Sequence, residues 1–323
     1  EIRTSVIKLK ELGYDKDIYG NTLEDENQVL EIKVQDIILP GYQESLGEDA
    51  GSIFYRIACF IDEALVKIYG EKPYYNTKTK DDIIGHYVVG IAPHICAGVV
   101  GRIIGFSKTQ GFFAHPTFHA NMRRDCDGDE SCVILLMDML LNFSRRFLPD
   151  HRGATQDAPL VLTSKIIPKE VDDMVFDVDI AWYYPLELYE GALQYKSPSE
   201  FKIERIKDYL GTPREYYGYG YTHETENINN GILCSSYKSL PTMQDKVHGQ
   251  MRLAEKIRAV DMDDVARLVI EKHFIRDIKG NLRKFSTQEF RCSKCNEKFR
   301  RPPLAGICSN CGGNIIFTVA EGS

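Results

Sequence analysis

The sequence predicts an α+β protein that contains a small β-barrel and ends in a compact, cysteine-paired ribbon. Three observations favour this fold class. β-branched runs divided by six glycines occupy residues 83–113, apolar residues recur with a helical period over 52–70, and two Cys-x-x-Cys pairs lie near the end of the chain. Glycine within strand-like runs is typical of backbones that approach closely, as they do in a small barrel.

The composition is that of an ordinary globular protein. Of 323 residues, 43% are hydrophobic, which is enough for one large core or two modest ones. The formal net charge of −7 argues against a uniformly basic nucleic-acid binder, although local clusters can differ from the sum. Nine cysteines without a regular framework favour a reducing compartment, so we expect a cytoplasmic location.

No segment of the sequence has the character of a membrane anchor or a leader. The longest apolar run, residues 133–141, contains Asp138 and is too short to span a bilayer, so we expect no membrane partner. The opening residues EIRTSVIKLKEL lack the basic and apolar regions of a signal peptide. They also lack an initiator Met, which indicates a fragment or a processed piece.

The first predicted domain covers residues 1–170 and holds the barrel. Its first 50 residues contain the strand-like runs SVIKL, VLEIKV and DIILP, and the helix over 52–70 is an insertion that ends at Gly70. A polar loop follows over 115–130, and a helix is predicted from about Cys132 to Leu148 because Pro149 stops it.

Two further domains are predicted. Residues 171–285 form a mixed α/β region in which 244–275 predict a pair of helices, the second capped by Asp261. Residues 286–323 form the cysteine ribbon.

Three carboxylates occur at every second residue of the polar loop: Asp125, Asp127 and Asp129, with Gly128 allowing a tight turn. Alternate residues of an extended loop project to the same side, so the three can converge on one point. Carboxylate oxygens suit Mg²⁺, and three of them this close repel one another unless a cation lies among them. The sequence therefore predicts a magnesium site whose ligands and catalytic residues are Asp125, Asp127 and Asp129. A solvated acidic turn is the alternative.

Two other acidic-loop proteins do not fit this segment. A calcium-binding EF-hand needs Gly at its sixth position and Glu at its twelfth, but counting from Asp125 these are Glu130 and Leu136. A phosphatase of the haloacid-dehalogenase type has an apolar strand directly before its acidic motif, whereas HANMRR precedes it here.

Basic residues flank the acidic cluster. They are Lys108, His115, His119, Arg123 and Arg124. Cations beside a metal-binding acid cluster suit phosphoryl transfer, because the metal neutralises the reacting phosphate while other cations hold its neighbours. We therefore predict that these five residues contact phosphate or nucleic acid. For each histidine alone, a structural hydrogen-bonding role is the alternative, and the arginines could merely balance the acids.

An aromatic, glycine-broken segment lies between Tyr216 and Tyr221. Such side chains can stack on bases, but a packed turn or strand edge is the interpretation we favour.

The two cysteine pairs are Cys292 with Cys295 and Cys308 with Cys311, separated by twelve residues. Paired knuckles of this kind form a tetrahedral four-cysteine zinc site, and Gly306, Gly312 and Gly313 suit its tight turns. Disulfides or an iron–sulfur site are the alternatives. Four thiolates leave no open position, so a zinc ion here is structural. The ribbon is also basic, which suits either contact with a phosphate backbone or a solvated face.

Several long segments, taken together, resemble the large subunit of the archaeal family D DNA polymerases. In chain order they read GHYVVGIAPHICAGVVGRIIGF, AHPTFHANMRRDCDGDE, LLNFSRRFLP, DAPLVLTSKI, WYYPLELYE, AEKIRAVD and GNLRKFSTQEFRCSKCNEKFRRPPL. The likeness covers essentially the whole chain and is colinear.

The resemblance implies a particular architecture. Members of this family build their active site from two double-psi β-barrels, as multisubunit RNA polymerases do, and one barrel brings the acidic loop while the other brings basic residues. This chain is similar to the barrel with the acidic loop and to the region after it. Asp127 and Asp129 match the two loop aspartates of the family. Asp125 stands where the family often has Asn, which leaves its role as a metal ligand open.

The resemblance also implies a function. It is that of a DNA-directed DNA polymerase, a nucleotidyltransferase of DNA replication that uses two Mg²⁺ ions and one structural Zn²⁺. Its partners are a primed DNA template, deoxynucleoside triphosphates, the rest of the large subunit with the other barrel, and a small proofreading nuclease subunit. A sliding clamp and a primase are expected to bind regions outside this chain. The chain is much shorter than that subunit, so we expect it to be inactive alone. An RNA-polymerase-like fragment and a non-catalytic zinc-bearing DNA-binding or assembly module are the alternatives.

Overall fold

In the computed structural model of the protein, the chain divides into two units, Glu1–Ser235 and Ser236–Ser323. The residues described are 1–41, 48–92, 95–124, 129–142, 160–223, 226–230, 232–236 and 239–318. Both helices and strands occur in each unit, which confirms the predicted α+β class. The domain bounds at 170 and 285 stay a prediction.

A mixed sheet of six strands forms the centre of the first unit. The strands are β1 Asp36–Pro40, β2 Tyr87–Ile91, β3 Ala97–Ser107, β4 Phe113–Ala114, β5 Cys132–Leu135 and β6 Val161–Thr163. Five of them follow the order β4-β1-β3-β2-β5, and β6 pairs with β3. The long strand β3 is parallel to β1 and β6 and antiparallel to β2. Among the described residues, no pairing joins the outer strands β4 and β5, so the sheet stays open there.

The first unit also contains five described helices. They are α1 Val6–Glu11, α2 Ala50–Ala64, α3 Pro116–Asn121, α4 Leu136–Asn142 and α5 Leu186–Ala192. Asp49 caps α2 through a hydrogen bond from Ser52 N, and Phe54, Ala58 and Ile61 bury one face at steps of three and four. A π-helical turn, Leu65–Tyr69, extends α2 to Gly70, which has a left-handed φ of 70°. The predicted helix over 52–70 is therefore confirmed.

Three other local predictions differ from the structure. SVIKL belongs to helix α1, because Ser5 accepts a hydrogen bond from Lys8 N and starts a helix there. The predicted helix from Cys132 begins instead as strand β5, which pairs with Val88–Ile91 of β2, and Leu136–Asn142 is helical. The rest of that predicted helix, residues 143–148, lies outside the described residues. Within the polar loop, residues 116–121 form α3 because His115 caps its start and Pro116 fits its first turn.

A buried charge pair ties α1 to the sheet. Asp36 of β1 is 3% exposed, and its carboxylate accepts from Arg102 Nε at 2.9 Å, Arg102 Nη2 at 2.8 Å and Tyr14 Oη at 2.6 Å. Burial, followed by the Asp36 charge, raises the pKa of Tyr14. Arg102 Nη2 also donates a hydrogen bond to Leu12 O at 3.0 Å, and this bond fixes the end of α1. The carboxylate is fully satisfied within the fold.

The second unit combines three helices with a small sheet. Its elements are α6 Met243–Lys256, α7 Met262–Val269, a π-helical turn Ile270–Phe274, α8 Ile275–Thr287, β7 Phe290–Cys292, β8 Lys298–Phe299 and β9 Ile315–Phe317. Asp261 caps α7 by accepting from Asp263 N and Asp264 N, as predicted. The helical segment continues to Thr287, beyond the predicted end at 275. In the ribbon, β7 lies between β8 and β9, and both pairings are antiparallel.

Short 3-10 turns connect these elements. They are Lys80–Ile83, Pro168–Glu170, Asp173–Asp177, Pro198–Glu200 and Ile206–Tyr209. In the part of the chain that the structure describes, no helix is both long enough and apolar enough to cross a membrane.

Candidate active site and metal centre

Both flanks of the acidic cluster are fixed to one strand, β2. On the preceding side, Phe118 and Met122 of the α3 segment pack over Gly90, where an added Cβ would lie 2.5 Å from Met122 Sδ and 3.2 Å from Phe118 Cε1. On the following side, β5 pairs with β2, with Val133 opposite Gly90. Gly101 of β3 completes the floor under Phe118, since a Cβ there would lie 3.0 Å from its ring. The sheet therefore sets where the cluster begins and ends.

Within the cluster itself, the structure describes only Asp129. Asp125 and Asp127 lie outside the described residues, so their part in the predicted magnesium site stays a prediction. The side chain of Asp129 is 41% exposed, and its Oδ2 lies 3.6 Å from Arg124 Nη1. Arg124 is 16% exposed, so a largely buried guanidinium faces an accessible carboxylate across the cluster.

A left-handed turn aims the two arginines. Arg123 has φ 56°, and its N–H donates to Ala120 O at 2.9 Å, while Arg124 N donates to His119 O at 3.1 Å. Left-handed backbone at a residue with a Cβ is unfavourable, so the surrounding structure holds it in place. The turn leaves Arg123 exposed to solvent and places Arg124 against the protein.

The two histidines have different surroundings. His115 is 3% exposed, its Nδ1 accepts from Thr117 N at 3.1 Å, and its Nε2 lies 3.0 Å from Tyr216 O. Burial lowers the pKa of His115 to about 4. A neutral ring with both nitrogens used inside the fold has none left for a phosphate, so this geometry gives His115 a structural role.

His119 and Lys108 stay accessible to different degrees. Burial lowers the pKa of His119, whose ring lies 5.0 Å from that of Phe112. Lys108 directly follows β3, its side chain is exposed, and its N–H donates to Asn229 Oδ1 at 2.6 Å. Arg123, Arg124 and His119 thus lie together at the end of α3, while Lys108 lies on a separate loop.

The tyrosine segment forms a packed turn, the interpretation that the sequence favoured. Tyr216 Oη donates to Ile166 O at 3.1 Å, and Tyr219 Oη donates to Glu215 O. The ring of Tyr219 lies 5.1 Å from that of His115. Sequence reasoning missed both this support for His115 and the glycine floor under α3. Gly90 and Gly101, within the β2 and β3 runs, were the available signal for this floor. Phe118, which packs on both, is distant from them in the sequence.

The four ribbon cysteines converge on one point. Their Sγ atoms all lie within 4.8 Å of one another, with Cys292 and Cys311 3.5 Å apart and Cys295 and Cys308 3.6 Å apart. A single tetrahedral ion with bonds of about 2.3 Å places its sulfurs about 3.8 Å apart. The backbone N–H groups of Cys295 and Lys294 lower the pKa of Cys292, whereas hydrogen bonds from the neighbouring thiols raise the pKa of Cys295. Thiols this close therefore do not all ionise unless a metal ion binds them.

The turn glycines of the ribbon are required by this geometry. A Cβ on Gly313 would lie 2.7 Å from Cys292 Sγ, and Gly312 has a left-handed φ of 66°. The sulfur separations exceed the length of about 2.05 Å of a disulfide bond, and all four cysteines are free. An iron–sulfur cluster contains several metal ions and needs more widely spaced sulfurs. The four cysteines therefore have the arrangement of a site for one tetrahedral metal ion such as zinc, and not that of a disulfide or a cluster of several irons.

Comparison with known proteins identifies one family and several relatives. The profile of the family described as "DNA polymerase II large subunit DP2, catalytic domain" matches residues 1–246. Proteins named "DNA polymerase II large subunit" from Archaeoglobus fulgidus, Methanosarcina barkeri and Pyrococcus furiosus are 53%, 50% and 51% identical over 325 aligned residues. Each alignment covers 100% of this chain but only 28%, 28% and 25% of the relative. The chain thus spans about a quarter of the length of these relatives.

Proposed function

Because this chain belongs to the family of the DNA polymerase II large subunit DP2 catalytic domain, we propose that it forms part of the active site of a DNA-directed DNA polymerase. One observation carries the proposal: the catalytic-domain family extends over residues 1–246, which include the whole acidic cluster and both of its flanks. The reaction is nucleotidyl transfer, in which a primer 3′-hydroxyl attacks the α-phosphate of a deoxynucleoside triphosphate and pyrophosphate leaves.

The donor set of the acidic cluster fits Mg²⁺. Asp125, Asp127 and Asp129 offer only hard oxygen ligands, and the exposed carboxylate of Asp129 is open to a cation. We assign Asp127 and Asp129 as the main ligands of two ions, with Asp125 third because the resembled family often has Asn there. When bound, the metals lower the pKa of the attacking hydroxyl and neutralise charge on the reacting phosphate.

The chain's own cations have two roles around that centre. Arg124, largely buried, holds Asp129 in place through the 3.6 Å ion pair and so orients one ligand. Exposed Arg123 and Lys108, with His119, contact phosphates of the triphosphate or the template. His115 instead fixes the start of α3, because its ring bonds Thr117 N and Tyr216 O.

The remaining positive charge comes from outside these residues. A triphosphate carries about four negative charges, and one exposed arginine beside the cluster neutralises only part of them. We propose that the sheet is the acidic half of a two-barrel, double-psi active site. Six strands with mixed parallel and antiparallel pairing around the long strand β3 support this. The partner barrel in the rest of the large subunit supplies the other cations. A small proofreading subunit, a sliding clamp and a primase complete the proposed set of partners.

The test removes one carboxylate from an intact assembly. In a full-length large subunit with its small subunit, we expect Asp129→Ala or Asp127→Ala to abolish primer extension while the fold survives. Loss of metal assistance worth several kcal/mol slows the reaction by about 10³-fold or more. Asp81→Ala, which removes an exposed carboxylate from the 3-10 turn at residues 80–83, is the matched control and keeps its rate. A near-normal rate in the Asp129 and Asp127 variants refutes the proposal.

The same assay separates the alternatives. Incorporation of ribonucleotides in preference to deoxyribonucleotides identifies an RNA-polymerase-like fragment. A non-catalytic zinc-bearing module in this position tolerates loss of the aspartates, so primer extension by the full assembly stays normal. Asp125→Asn has a smaller effect than Asp127→Ala, since an amide oxygen can still coordinate. The 323-residue chain alone does not extend a primer, and addition of the remaining large subunit and the small subunit restores extension.

A further inference from the structure

Charge is distributed unequally between the two units. Residues 236–323 contain 16 of the 40 Lys and Arg residues of the chain but only 10 of its 47 Asp and Glu residues. Residues 1–235 contain the other 24 basic and 37 acidic residues. The second unit therefore has a formal charge of +6 although the whole chain has −7. Its ribbon is particularly basic, with five Lys or Arg and two Glu over residues 286–318. A basic surface on an acidic chain indicates a local electrostatic function.

The ribbon sheet places these charges on one face. Register pairs Phe290 with Phe299 and Phe317, and it pairs Arg291 with Lys298 and Ile316. Paired residues share a face and successive residues alternate, so the three phenylalanines lie on one side and Arg291, Lys298 and Ile316 on the other. The side with Arg291 and Lys298 is the basic face.

The aromatic side of this sheet is used for packing. The ring of Phe317 lies 5.3 Å from Phe290 and 5.5 Å from Phe285 of α8, so α8 packs against part of that side. The basic face carries no aromatic residue on its three strands. Proteins that hold single-stranded nucleic acid do so largely by stacking bases on aromatic rings. The basic face therefore fits phosphates rather than unpaired bases.

Arg291 and Lys298 are directly opposite each other, which is unfavourable unless an anion is present. Cross-strand neighbours have Cβ atoms about 5 Å apart, and like charges in that position destabilise a sheet. Glu289 reaches Lys298 at 3.6 Å, but the two side chains are 55% and 66% exposed, so this pair offsets little. In the described part of the chain, no ion pair involves Arg291, and its side chain is exposed.

We infer that the basic face of the ribbon binds the phosphate backbone of duplex DNA, with Arg291 and Lys298 as its central contacts. Adjacent phosphates of one strand lie several ångströms apart, a spacing that two cross-strand cations can match. Arg300 and Arg301, which directly follow β8 and are exposed, extend the positive surface. The choice of duplex DNA rests on the proposed function, because a polymerase holds the duplex of primer and template. The binding itself needs neither Mg²⁺ nor nucleotides.

The experiment measures binding of the zinc-loaded 323-residue chain to a fluorescein-labelled 20-base-pair duplex by anisotropy, from 50 to 200 mM salt and without Mg²⁺. The variant is Arg291→Gln with Lys298→Gln. Each phosphate contact contributes about 0.9 to the slope of log affinity against log salt, so we expect a slope about 2 smaller and an affinity about 10- to 100-fold weaker at 0.1 M salt. Arg291→Lys with Lys298→Arg keeps the charge and should keep the slope.

A matched control makes the same change of charge in the other unit. Arg56→Gln with Lys67→Gln removes two cations that already pair with Glu48 at 2.7 Å and Glu63 at 3.1 Å. Zinc content of one ion per chain in every variant shows that the ribbon is folded. A duplex affinity and slope equal to those of the control overturn the inference, and so does a loss confined to a single-stranded oligonucleotide of the same length.

The two proposals fail separately. The active-site proposal is tested by primer extension in the full assembly, whereas the ribbon inference is tested by duplex affinity without metal or nucleotide. If Asp129→Ala extends primers normally in the full assembly, the proposed active site is wrong and the ribbon result stands. If the ribbon variant binds like the control while Asp129→Ala abolishes extension, the ribbon inference alone is wrong.

Discussion

Gly90→Ala tests whether the packing of α3 on β2 positions the acidic cluster. Gly90 lies in the middle of β2, with Val133 of β5 paired opposite it and Met122 packed above it. The new Cβ would lie 2.5 Å from Met122 Sδ and 3.2 Å from Phe118 Cε1, whereas nonbonded carbon atoms prefer about 3.5–4.0 Å. One methyl group therefore forces a movement of roughly 1 Å between the helix and the sheet.

The surrounding side chains cannot relieve this contact by turning into solvent. Met122 is 1% exposed and Phe118 is 0% exposed. Overpacking of this kind costs about 1–3 kcal/mol. The alanine also restricts the unfolded chain, which offsets about 0.4–1 kcal/mol of that cost. We expect the free energy of unfolding to fall by about 1–2 kcal/mol, seen as a lower urea midpoint with an unchanged slope.

The effect on activity should exceed the effect on stability. A displacement of about 1 Å in a positioned catalytic group can slow a reaction by about 10²-fold. In a full-length large subunit with its small subunit, primer extension by Gly90→Ala should therefore fall by about that factor at a temperature where the protein stays folded. The measurement is single-turnover incorporation, with circular dichroism of the same sample as the check on folding.

Two further variants decide whether the contact is the cause. Gly111→Ala adds a methyl group in the same unit but meets nothing closer than 3.5 Å, so it should leave extension unchanged and should not lower the free energy of unfolding. Met122→Ala costs about 2–5 kcal/mol alone because it leaves a cavity. Combined with Gly90→Ala, it should cost less than the two changes added together, by about 1 kcal/mol. Normal extension and stability in Gly90→Ala, or strict additivity in the double variant, refute the positioning argument.

The remaining predictions concern the metal, a histidine and a buried ion pair. Cys311→Ser should reduce zinc to below one ion per chain by elemental analysis and make the ribbon sensitive to protease, because metal binding supplies folding free energy. Burial lowers the pKa of His115 from 6.5 to about 4, so stability present above pH 6.5 should be lost as the pH falls towards 4, by about 3 kcal/mol. Urea titrations at several pH values should show a weaker loss in His115→Gln. Arg102→Met should lower the free energy of unfolding by about 3 kcal/mol, since it leaves the Asp36 carboxylate buried without its cation.

Local signals predicted the elements that local interactions determine. Helix α2 followed from its apolar period and from Gly70, and the cap at Asp261 followed from its side chain and the acidic turn after it. The ribbon cysteines followed from spacing alone, because four thiolates near one another in sequence have few other arrangements. In each case the residues that decide the structure lie within a few positions of one another.

The predictions were wrong or incomplete for elements whose structure depends on residues distant in the sequence. The run CVIL at 132–135 is apolar on every residue, which does not distinguish a strand from a buried helix. Its pairing with β2, more than forty residues earlier in the chain, makes it a strand. SVIKL reads as a strand by composition, yet Ser5 caps it as a helix whose end is held by Arg102. Among the described residues no pairing joins β4 and β5, and no local pattern in the sequence indicates whether two sheet edges pair.

Asp36 and Asp129 show why chemistry could not be assigned to single aspartates from the sequence. Asp36 has Arg102 and Tyr14 on its oxygens at 2.6–2.9 Å and is 3% exposed, so it has no access to a metal and acts as an anchor for the fold. Asp129 is 41% exposed and has an arginine only at 3.6 Å, so its oxygens can take a further cation. The two residues have the same side chain but differ in their arginine partners. Arg102 is 66 positions from Asp36 in the sequence, whereas Arg124 is five positions from Asp129. The spacing of the acidic cluster makes Asp129 a candidate ligand, because neighbouring acids repel one another wherever the chain folds, and that role stays a prediction. The neutralisation of Asp36 instead depends on which strand β1 pairs with.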